Sequence, residues 1–505
     1  MLLSTLVDAV ARRRPDHLAV IDGPARLTYA ELAAARAKVT ASLAAAGLRP
    51  GDRLAVLSPN CAELVVTYHA AFLAGVVLVP VNTRLAAPGI EYVLGHSGAE
   101  ALVVDHRLVD RLPADGAGIP TGRVWVIGGR DATFDRLRRG DATPPPGRPQ
   151  AQPGDVAAIL YTSGTTSRPK GVTHTHSSLW HTAANQAWSQ EFGSGDVHLV
   201  SLSAAHIAGF GGQLLTAAYA GGTVVLLADP SPASILETVE RHRPTYLQMT
   251  PAILAETLDA VASPAQLASV RCCLAGGDEV PHSTHERFRA LTGRNVTEVC
   301  GMTESFSYLM NPPFGDQRAG SIGVPAHGTR VRILTPGGTD AGAGEVGELA
   351  VQSAATMSGY WDDPGKTAAV LRDGWLHTGD MGRVDEDGWY FFAARRADMI
   401  IRGGSNISPL EVEDVLTAHP AVLEAAVVGV PDPVFGQRVA AAVRLHPGAQ
   451  ATPEDLLSFA RRQLAEYQTP ERLEVVDALP HNATGKVDRH AALRALSGQS
   501  GTAGA

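Results

Sequence analysis

The chain reads Tyr161-Thr-Ser-Gly-Thr-Thr-Ser-Arg-Pro-Lys170-Gly-Val172 at the point that decides its fold. The apolar run Val156 to Leu160 precedes this stretch and predicts a buried strand, and a helical pattern follows from about Ser177. Small residues let backbone N–H groups approach phosphate oxygens, hydroxyls add donors, and Lys170 adds a positive charge. A polar surface loop is the alternative, but a proline and a lysine in this order behind a strand favour a phosphate-binding loop between strand and helix.

The position of the lysine excludes a Walker P-loop. That motif needs Gly-Lys followed by Ser or Thr, whereas Lys170 lies between Pro169 and Gly171. The loop instead resembles the signature of the adenylate-forming superfamily, which comprises acyl- and aryl-CoA synthetases, stand-alone adenylation domains and luciferases. Ser167 stands where that family usually has glycine. The resemblance implies a Mg²⁺ contact for Thr165 and nucleotide contacts for Thr162, Ser163, Gly164, Thr165, Thr166 and Lys170.

Length and composition are those of an ordinary globular protein. The 505 residues predict two or three domains, and 45% apolar with 18% charged residues is a typical globular composition. The net charge of −9 argues against nucleic acid as a partner, because surfaces that bind nucleic acid are basic.

Cysteine usage and the N-terminus predict a cytoplasmic protein. The four cysteines lack metal-site spacing, and the pair Cys272-Cys273 lies in an apolar run that predicts reduced core residues. The N-terminal residues 1–6 have no basic region and meet three arginines too early for a signal peptide. The apolar segment Leu64 to Val81 is divided by Gly75, so it predicts a buried helix followed by a strand rather than a membrane span.

The order of elements predicts an α/β fold. Strand and helix signals alternate from residue 1 to about 230, as in Arg53-Leu-Ala-Val-Leu, a helix from Cys61, and Val76-Val-Leu-Val-Pro. This alternation predicts a largely parallel sheet covered by helices. The segments 270–275 and 295–300 predict two more buried strands.

The rest of the chain predicts connectors and a second domain. Residues 138–155 are rich in Pro and Gly and predict a flexible connector, and residues 320–352 predict antiparallel hairpins. The residue pattern changes near Arg395, and strands such as 425–430 and a helix from Pro453 to Leu464 are predicted after it. By resemblance, a large N-terminal domain of helix-covered parallel sheets plus a small β-barrel precedes a smaller α+β domain. The predicted bounds are 1–394, 395–496 and a disordered tail, 497–505.

Gly301-Met302-Thr303-Glu304 follows the end of a predicted strand. A hydroxyl beside a carboxylate can bind a phosphate oxygen and Mg²⁺ together, although a helix N-cap with an acidic first turn has the same residues. The resemblance implies that Thr303 contacts the α-phosphate, that Glu304 binds Mg²⁺, and that Gly301 and Met302 border the nucleotide. The aromatic residue that usually stacks on adenine is replaced by Cys300.

Trp375-Leu-His-Thr-Gly-Asp380 is a second match to the family. We predict that Asp380 lies in a tight turn, and the resemblance implies that it accepts both ribose hydroxyls. Asp385-Glu-Asp-Gly388 predicts a plain hairpin turn.

The domain junction carries a third match, which begins at Arg395. The resemblance implies that Arg395 touches the ribose and that Gly403 and Gly404 border the thiol tunnel. Ala397 stands at the hinge position, where the family usually has Asp or Lys.

His481-Asn-Ala-Thr-Gly-Lys486 matches the family's C-terminal catalytic loop. A lysine in a mobile loop can neutralise a carboxylate and an α-phosphate as they meet. An exposed surface lysine is the alternative, but the motif and its place near the C-terminus favour catalysis by Lys486.

His206 and the turn after residue 275 are predicted to border the acid. The family's His-x-x-Gly matches His206 and Gly209, and its histidine lines the acyl pocket, although a lone histidine is often structural. Gly276, Gly277 and Asp278 match the turn beside adenine. An acidic residue there resembles amino-acid adenylation domains, yet no acid adjoins His206 to hold an α-ammonium.

Taken together, the motifs predict an ATP- and Mg²⁺-dependent ligase that forms an acyl-adenylate from a small carboxylic acid and then a CoA thioester. The alternatives that stay open are a phosphopantetheine on an acyl carrier protein, an amine or another small nucleophile as acceptor, and a non-catalytic scaffold on the same fold. Phe306, Tyr308 and Met310 favour a medium-sized apolar or aromatic acid, although they could equally be core. A homodimer is left open.

Overall fold

The structure of the chain is a computed structural model that describes residues 1–113, 116–130, 132–139, 151–162, 169–277, 280–318, 320–395, 398–402, 405–481 and 487–497. Side chains are described in these ranges except at 117, 405, 406 and 490. The chain forms two compact units, Met1–Val331 with Val351–Leu376, and Arg332–Ala350 with His377–Ala505.

The first unit contains a seven-stranded sheet. Its strands run in the order Gly359–Tyr360, Lys170–Thr175, Val156–Thr162, Val77–Pro80, Arg53–Leu57, Ala101–Asp105 and Val124–Ile127. From Val156–Thr162 to Val124–Ile127 the strands pair in parallel, and Arg53–Leu57 and Ala101–Asp105 among them are almost wholly buried, as expected where helices cover both faces of a sheet. The predicted strands at Arg53, Val76 and Val156 are confirmed.

A nine-stranded sheet completes this unit. Its order is Val324–Pro325, Ser305–Met310, Val296–Met302, Cys272–Gly276, Tyr246–Met249, Val197–Val200, Thr223–Leu226, Leu18–Asp22 and Ala25–Thr28. The middle strands are parallel, and antiparallel strands close both edges. The strands predicted near 270 and 295 are confirmed, and Cys272 and Cys273 are buried free thiols.

Helices cover these sheets. The helix Ala62–Ala74 buries eleven of its thirteen residues, which identifies it as a core helix, as predicted. Among the described residues, no helix combines the length and the apolarity needed to cross a bilayer. The α-helices are Ser4–Arg13, Tyr29–Ala45, Ala62–Ala74, Ala87–Ser97, Phe134–Arg138, His176–Gln190, Thr216–Ala220, Pro232–His242, Pro251–Ala260, His282–Thr292, Pro364–Val370, Pro409–Thr417, Pro453–Arg461 and Arg489–Leu496; a π-helix spans Ala208–Leu215, and 3-10 turns span His106–Arg111, Gly116–Gly118, Thr121–Arg123 and Pro264–Leu267.

Two smaller sheets follow in the chain. One has the order Thr329–Leu334, Gly347–Ser353, Trp375–Val384 and Leu371–Arg372, with Tyr390–Arg395 also paired to Trp375–Val384. The boundaries between the two units fall within three strands of this sheet, Thr329–Leu334, Gly347–Ser353 and Trp375–Val384. The other sheet has the order Ser405–Ile407, Ile400–Arg402, Gly436–Leu445 and Val422–Asp432, with Arg472–Val475 beside Gly436–Leu445. Its own core includes Val412, Leu416 and Leu456.

The structure corrects one prediction about the phosphate-binding loop. A strand, Lys170–Thr175, lies between the loop and the helix, so the loop joins two antiparallel strands and the helix begins only at His176. The strand forms because residues 170–175 find a ladder partner in Val156–Thr162, with Lys170 opposite Thr162. The loop is therefore not followed directly by a helix N-terminus.

Some predictions concern residues outside the described ranges. They are most of the connector, residues 140–150, and most of the tail, residues 498–505. The predicted domain boundary at Arg395 remains a proposal.

Candidate active site

Three predicted site segments lie at one edge of the nine-stranded sheet. Parallel strands end at the same edge, and here Val197–Val200 leads towards His206, Cys272–Gly276 towards Gly277, and Val296–Met302 towards Thr303. The carboxyl edge of a parallel sheet is where α/β proteins commonly bind ligands. The strands therefore direct residues that are up to about 100 positions apart in the chain towards the same edge.

Thr303 and Glu304 form the turn of a β-hairpin. Met302 pairs with Ser305 across the turn, so the alternative of a helix N-cap is excluded. Glu304 is only 7% exposed, and its carbonyl accepts a hydrogen bond from the backbone N–H of Met357 at 2.7 Å. This short turn therefore holds the Thr303 hydroxyl next to the buried Glu304 carboxylate.

Gly301 is required by the closeness of the two hairpin strands. A Cβ atom at this position would lie 2.2 Å from the backbone nitrogen of Ser307. Beside it, the Cys300 thiol donates to the hydroxyl of the fully buried Tyr308 at 3.5 Å. Phe306 and Met310 belong to the main hydrophobic core, so the alternative that these two side chains are core residues is correct.

His174, which the sequence did not single out, fixes the backbone of Thr303. Its Nε2 lies 2.8 Å from the Thr303 carbonyl oxygen, and its Nδ1 lies 3.1 Å from the Ser178 hydroxyl. Burial lowers the pKa of His174 to about 4, although the bond to Thr303 opposes this shift. The ring is therefore neutral near pH 7, and Nε2 carries the hydrogen because a carbonyl oxygen only accepts.

Tyr360, also missed in the sequence, connects Glu304 to Lys170. Its hydroxyl donates to Oε1 of Glu304 at 2.7 Å, and the Lys170 Nζ lies 5.3 Å from the centre of its ring. The strand Gly359–Tyr360 is only two residues long, so the sequence offers no more than a Gly-Tyr pair to indicate a role for Tyr360. Thr162 pairs with Lys170 at the base of the loop.

His206 occupies a partly enclosed position. Its side chain is accessible to water, yet burial lowers its pKa, and the charge of Arg84 lowers it further. The π-helix Ala208–Leu215 begins two residues later, and such helices are frequent at functional sites.

In the second unit, Asp380 and Arg395 form an ion pair. They lie opposite each other on adjacent antiparallel strands, and Nη1 of Arg395 is 2.7 Å from Oδ1 of Asp380. The prediction that Asp380 lies in a tight turn is wrong, because its residue is within the long strand Trp375–Val384 and is 2% exposed. The predicted hairpin turn at 385–388 is confirmed.

The C-terminal motif is described only at its ends. His481 and Val487 form an isolated antiparallel bridge, and Nε2 of His481 lies 2.7 Å from Oε1 of Glu424. This bridge holds together the two ends of segment 482–486. The predicted site residues outside the described ranges are Ser163, Gly164, Thr165, Thr166, Asp278, Gly403, Gly404 and Lys486, and the hinge residue Ala397 also lies there.

Within the described ranges, no group of three His, Cys, Asp or Glu side chains could hold a metal ion. Mg²⁺ is commonly held by one or two protein carboxylates together with substrate phosphates. Glu304, which Tyr360 connects to Lys170, offers one such carboxylate.

Comparison with known proteins identifies the family. The model of the AMP-binding enzyme family matches residues 7–361, and that of the AMP-binding enzyme C-terminal domain matches residues 411–486. A feruloyl-CoA synthase of Amycolatopsis sp is 37% identical over 488 residues, covering 94% of this chain and 95% of that protein.

A relative named for a different acceptor and a solved structure are also similar to this chain. A fatty acid–[acyl-carrier-protein] ligase, ScoC, of Streptomyces coeruleorubidus is 34% identical over 506 residues and covers 96% of this chain and 95% of its own. The crystal structure of ATP-bound MatB from Rhodopseudomonas palustris superimposes with a TM-score of 0.91 at 30% identity, covering 99% of this chain and 100% of that one.

Proposed function

This chain belongs to the AMP-binding enzyme family, and we propose which of its residues carry the two steps of its reaction. The enzyme is an ATP-dependent acid–thiol ligase of the acyl-CoA synthetase type. The observation that carries the assignment is the connection of the Lys170 strand to the Thr303–Glu304 turn, through His174 and Tyr360.

In the first step, a carboxylate oxygen of the acid attacks the α-phosphorus of ATP. The bond from the α-phosphorus to the bridging oxygen breaks, and pyrophosphate leaves with that oxygen. Negative charge accumulates because two anions approach each other, so donors and cations must be in place beforehand. We assign the α-phosphate to the hydroxyl of Thr303, and the β- and γ-phosphates to the loop 162–170 with Lys170.

Glu304 is the proposed protein ligand of Mg²⁺, with Thr165 as a second one. When bound, the ion would reduce the negative charge on the phosphates. The buried Glu304 carboxylate supports this role, because its position is fixed by the Tyr360 hydroxyl rather than by solvent.

Asp380 and Arg395 are the proposed ribose contacts. The two oxygens of the buried Asp380 carboxylate can accept from both ribose hydroxyls, while the half-exposed Arg395 guanidinium can donate to a ribose oxygen. Gly276, Gly277, Gly301 and Met302 are proposed to border the nucleotide.

Lys486 is the proposed catalytic lysine, and residues 395–496 are the proposed mobile domain that carries it. In the second step this domain turns, Lys486 leaves, and a thiol sulfur attacks the acyl carbon with release of AMP. Gly403 and Gly404 are proposed to border the thiol. The bridge between His481 and Val487 joins the two residues that flank the segment containing Lys486.

We propose a medium-sized apolar or aromatic acid beside His206. The neutral imidazole of a partly enclosed histidine suits an uncharged acyl group, and one relative is named for an aromatic acyl-CoA. CoA is the proposed acceptor. The relative named as an acyl-carrier-protein ligase supports a carrier phosphopantetheine as the second candidate.

The decisive experiment traps the adenylate with hydroxylamine across aryl, fatty, dicarboxylic and amino acids, with ATP and Mg²⁺. The same panel is then repeated with CoA in place of hydroxylamine. A hydroxamate and an acyl-CoA from one acid would establish the proposal and the substrate class. A hydroxamate without acyl-CoA would favour the carrier protein. Tight ATP binding without hydroxamate from any acid would contradict the first step.

A further inference from the structure

Tyr360 makes the contact on which this inference depends. Its phenol donates a hydrogen bond of 2.7 Å to Oε1 of Glu304, and the tyrosine and glutamate are 9% and 7% exposed. A hydroxyl that is hydrogen-bonded to one oxygen of a buried carboxylate restricts the rotation of that carboxylate. The Tyr360 hydroxyl therefore holds the Glu304 carboxylate in one orientation through its Oε1 atom.

The backbone of Tyr360 is itself anchored to the base of the phosphate-binding loop. The strand Gly359–Tyr360 pairs with Thr173 and Val172, and the Thr173 hydroxyl donates to the Gly359 carbonyl at 2.5 Å. The backbone N–H of Tyr360 donates to the Thr367 hydroxyl at 2.9 Å. These bonds leave the phenol little freedom to follow a displaced carboxylate.

The aromatic ring of Tyr360 has a second contact. The ammonium of Lys170 lies 5.3 Å from the ring centre, within the range of a cation–π interaction. One side chain thus touches both the proposed phosphate cation and the proposed metal ligand, through different atoms. Its two contacts can be removed separately.

We propose that Tyr360 is a positioning residue, whose hydroxyl sets the orientation of Glu304 for Mg²⁺. The inference rests on the proposed function of Glu304. Mg²⁺ demands nearly ideal octahedral geometry, so a misoriented ligand weakens its binding. Groups that orient a metal ligand typically change metal affinity by about 10- to 100-fold.

The test compares Tyr360→Phe with the wild-type enzyme. The variant keeps the ring and its contact with Lys170 but removes the hydroxyl. Binding of Mn²⁺, in the presence of an ATP analogue that cannot be cleaved at the α-phosphate, is measured by the electron paramagnetic resonance signal of free Mn²⁺. We expect Mn²⁺ binding to weaken by about 10-fold or more. The Mg²⁺ concentration for half-maximal adenylate formation should rise in parallel, while thioester formation from supplied acyl-AMP stays unchanged.

A matched control is Tyr246→Phe. The buried Tyr246 hydroxyl lies 2.6 Å from the Gln190 carbonyl oxygen and 3.2 Å from that of Glu191, so this variant also loses the hydrogen bonding of a buried phenol, but at a site without Glu304. It should lower the unfolding temperature without changing Mn²⁺ binding. Thermal unfolding of both variants establishes that each is folded.

Glu304→Gln separates the two proposals. If Glu304→Gln weakens Mn²⁺ binding and Tyr360→Phe does not, the role of Tyr360 is refuted and that of Glu304 stands. If Glu304→Gln leaves Mn²⁺ binding unchanged, the metal assignment fails and the inference about Tyr360 fails with it. If both variants weaken it while no acid gives an adenylate, the inference stands and the proposed reaction is overturned.

Discussion

Replacement of His174 by glutamine should change the pH dependence of stability in a calculable way. The pKa of His174 is lowered by burial to about 4, against 6.5 for an unperturbed histidine. Between these values the unfolded chain binds a proton that the folded chain does not. Protons therefore favour unfolding, and the wild-type protein loses stability as the pH falls from 6.5 towards 4.

The size of the effect follows from the two pKa values. At pH 5 an unfolded His174 is almost fully protonated and the folded one is about one-tenth protonated, which costs about 2 kcal/mol relative to pH 8. Glutamine does not titrate, and its amide can still donate to the Thr303 carbonyl. The stability advantage of the wild type over His174→Gln should therefore shrink by about 2 kcal/mol between pH 8 and pH 5.

The assay is urea unfolding of both proteins at pH 8 and pH 5, followed by circular dichroism. His282→Gln is the matched control, because the His282 side chain is 80% exposed. It should leave the wild-type pH dependence almost intact. An equal difference between wild type and His174→Gln at both pH values would refute the assignment of His174 as a buried neutral ring.

Three further substitutions test the proposed roles. Lys486→Ala should abolish adenylate formation while thioester formation from supplied acyl-AMP survives, and equal loss of both steps would contradict the role. Asp380→Asn removes a buried charge and should lower kcat/KM for ATP by about 10- to 100-fold, as expected for a charged hydrogen bond; an unchanged kcat/KM for ATP would contradict the ribose contact. Gly301→Ala places a Cβ 2.2 Å from a backbone nitrogen and should destabilise the protein by about 1–3 kcal/mol in urea unfolding, whereas Gly195→Ala, with open space around it, should be neutral.

The sequence predicts most reliably the elements whose character is local. The helix Ala62–Ala74 and the strand Cys272–Gly276 are apolar over most of their length because both are buried, so the pattern alone identifies them. The predicted position of Thr303 and Glu304 after a strand is also confirmed, since Val296–Met302 ends at the carboxyl edge of the sheet.

What the sequence could not predict depends on distant partners. The strand Lys170–Thr175 has a single large apolar residue and is a strand because Val156–Thr162 pairs with it. His174 appears polar and exposed in the sequence, but the sheet buries it completely. Tyr360 acquires its contact with Glu304 from a residue 56 positions away, and no local pattern encodes that distance.

The antiparallel ladder below the phosphate-binding loop also bears on how this loop can be altered. Six residue pairs, ending at Thr162 and Lys170, fasten the two strands independently of the segment between them. Here an insertion or exchange of the segment leaves the register of both flanking strands untouched. The loop is thus a replaceable module, suited to engineering by transplantation of whole loops from other members of the family.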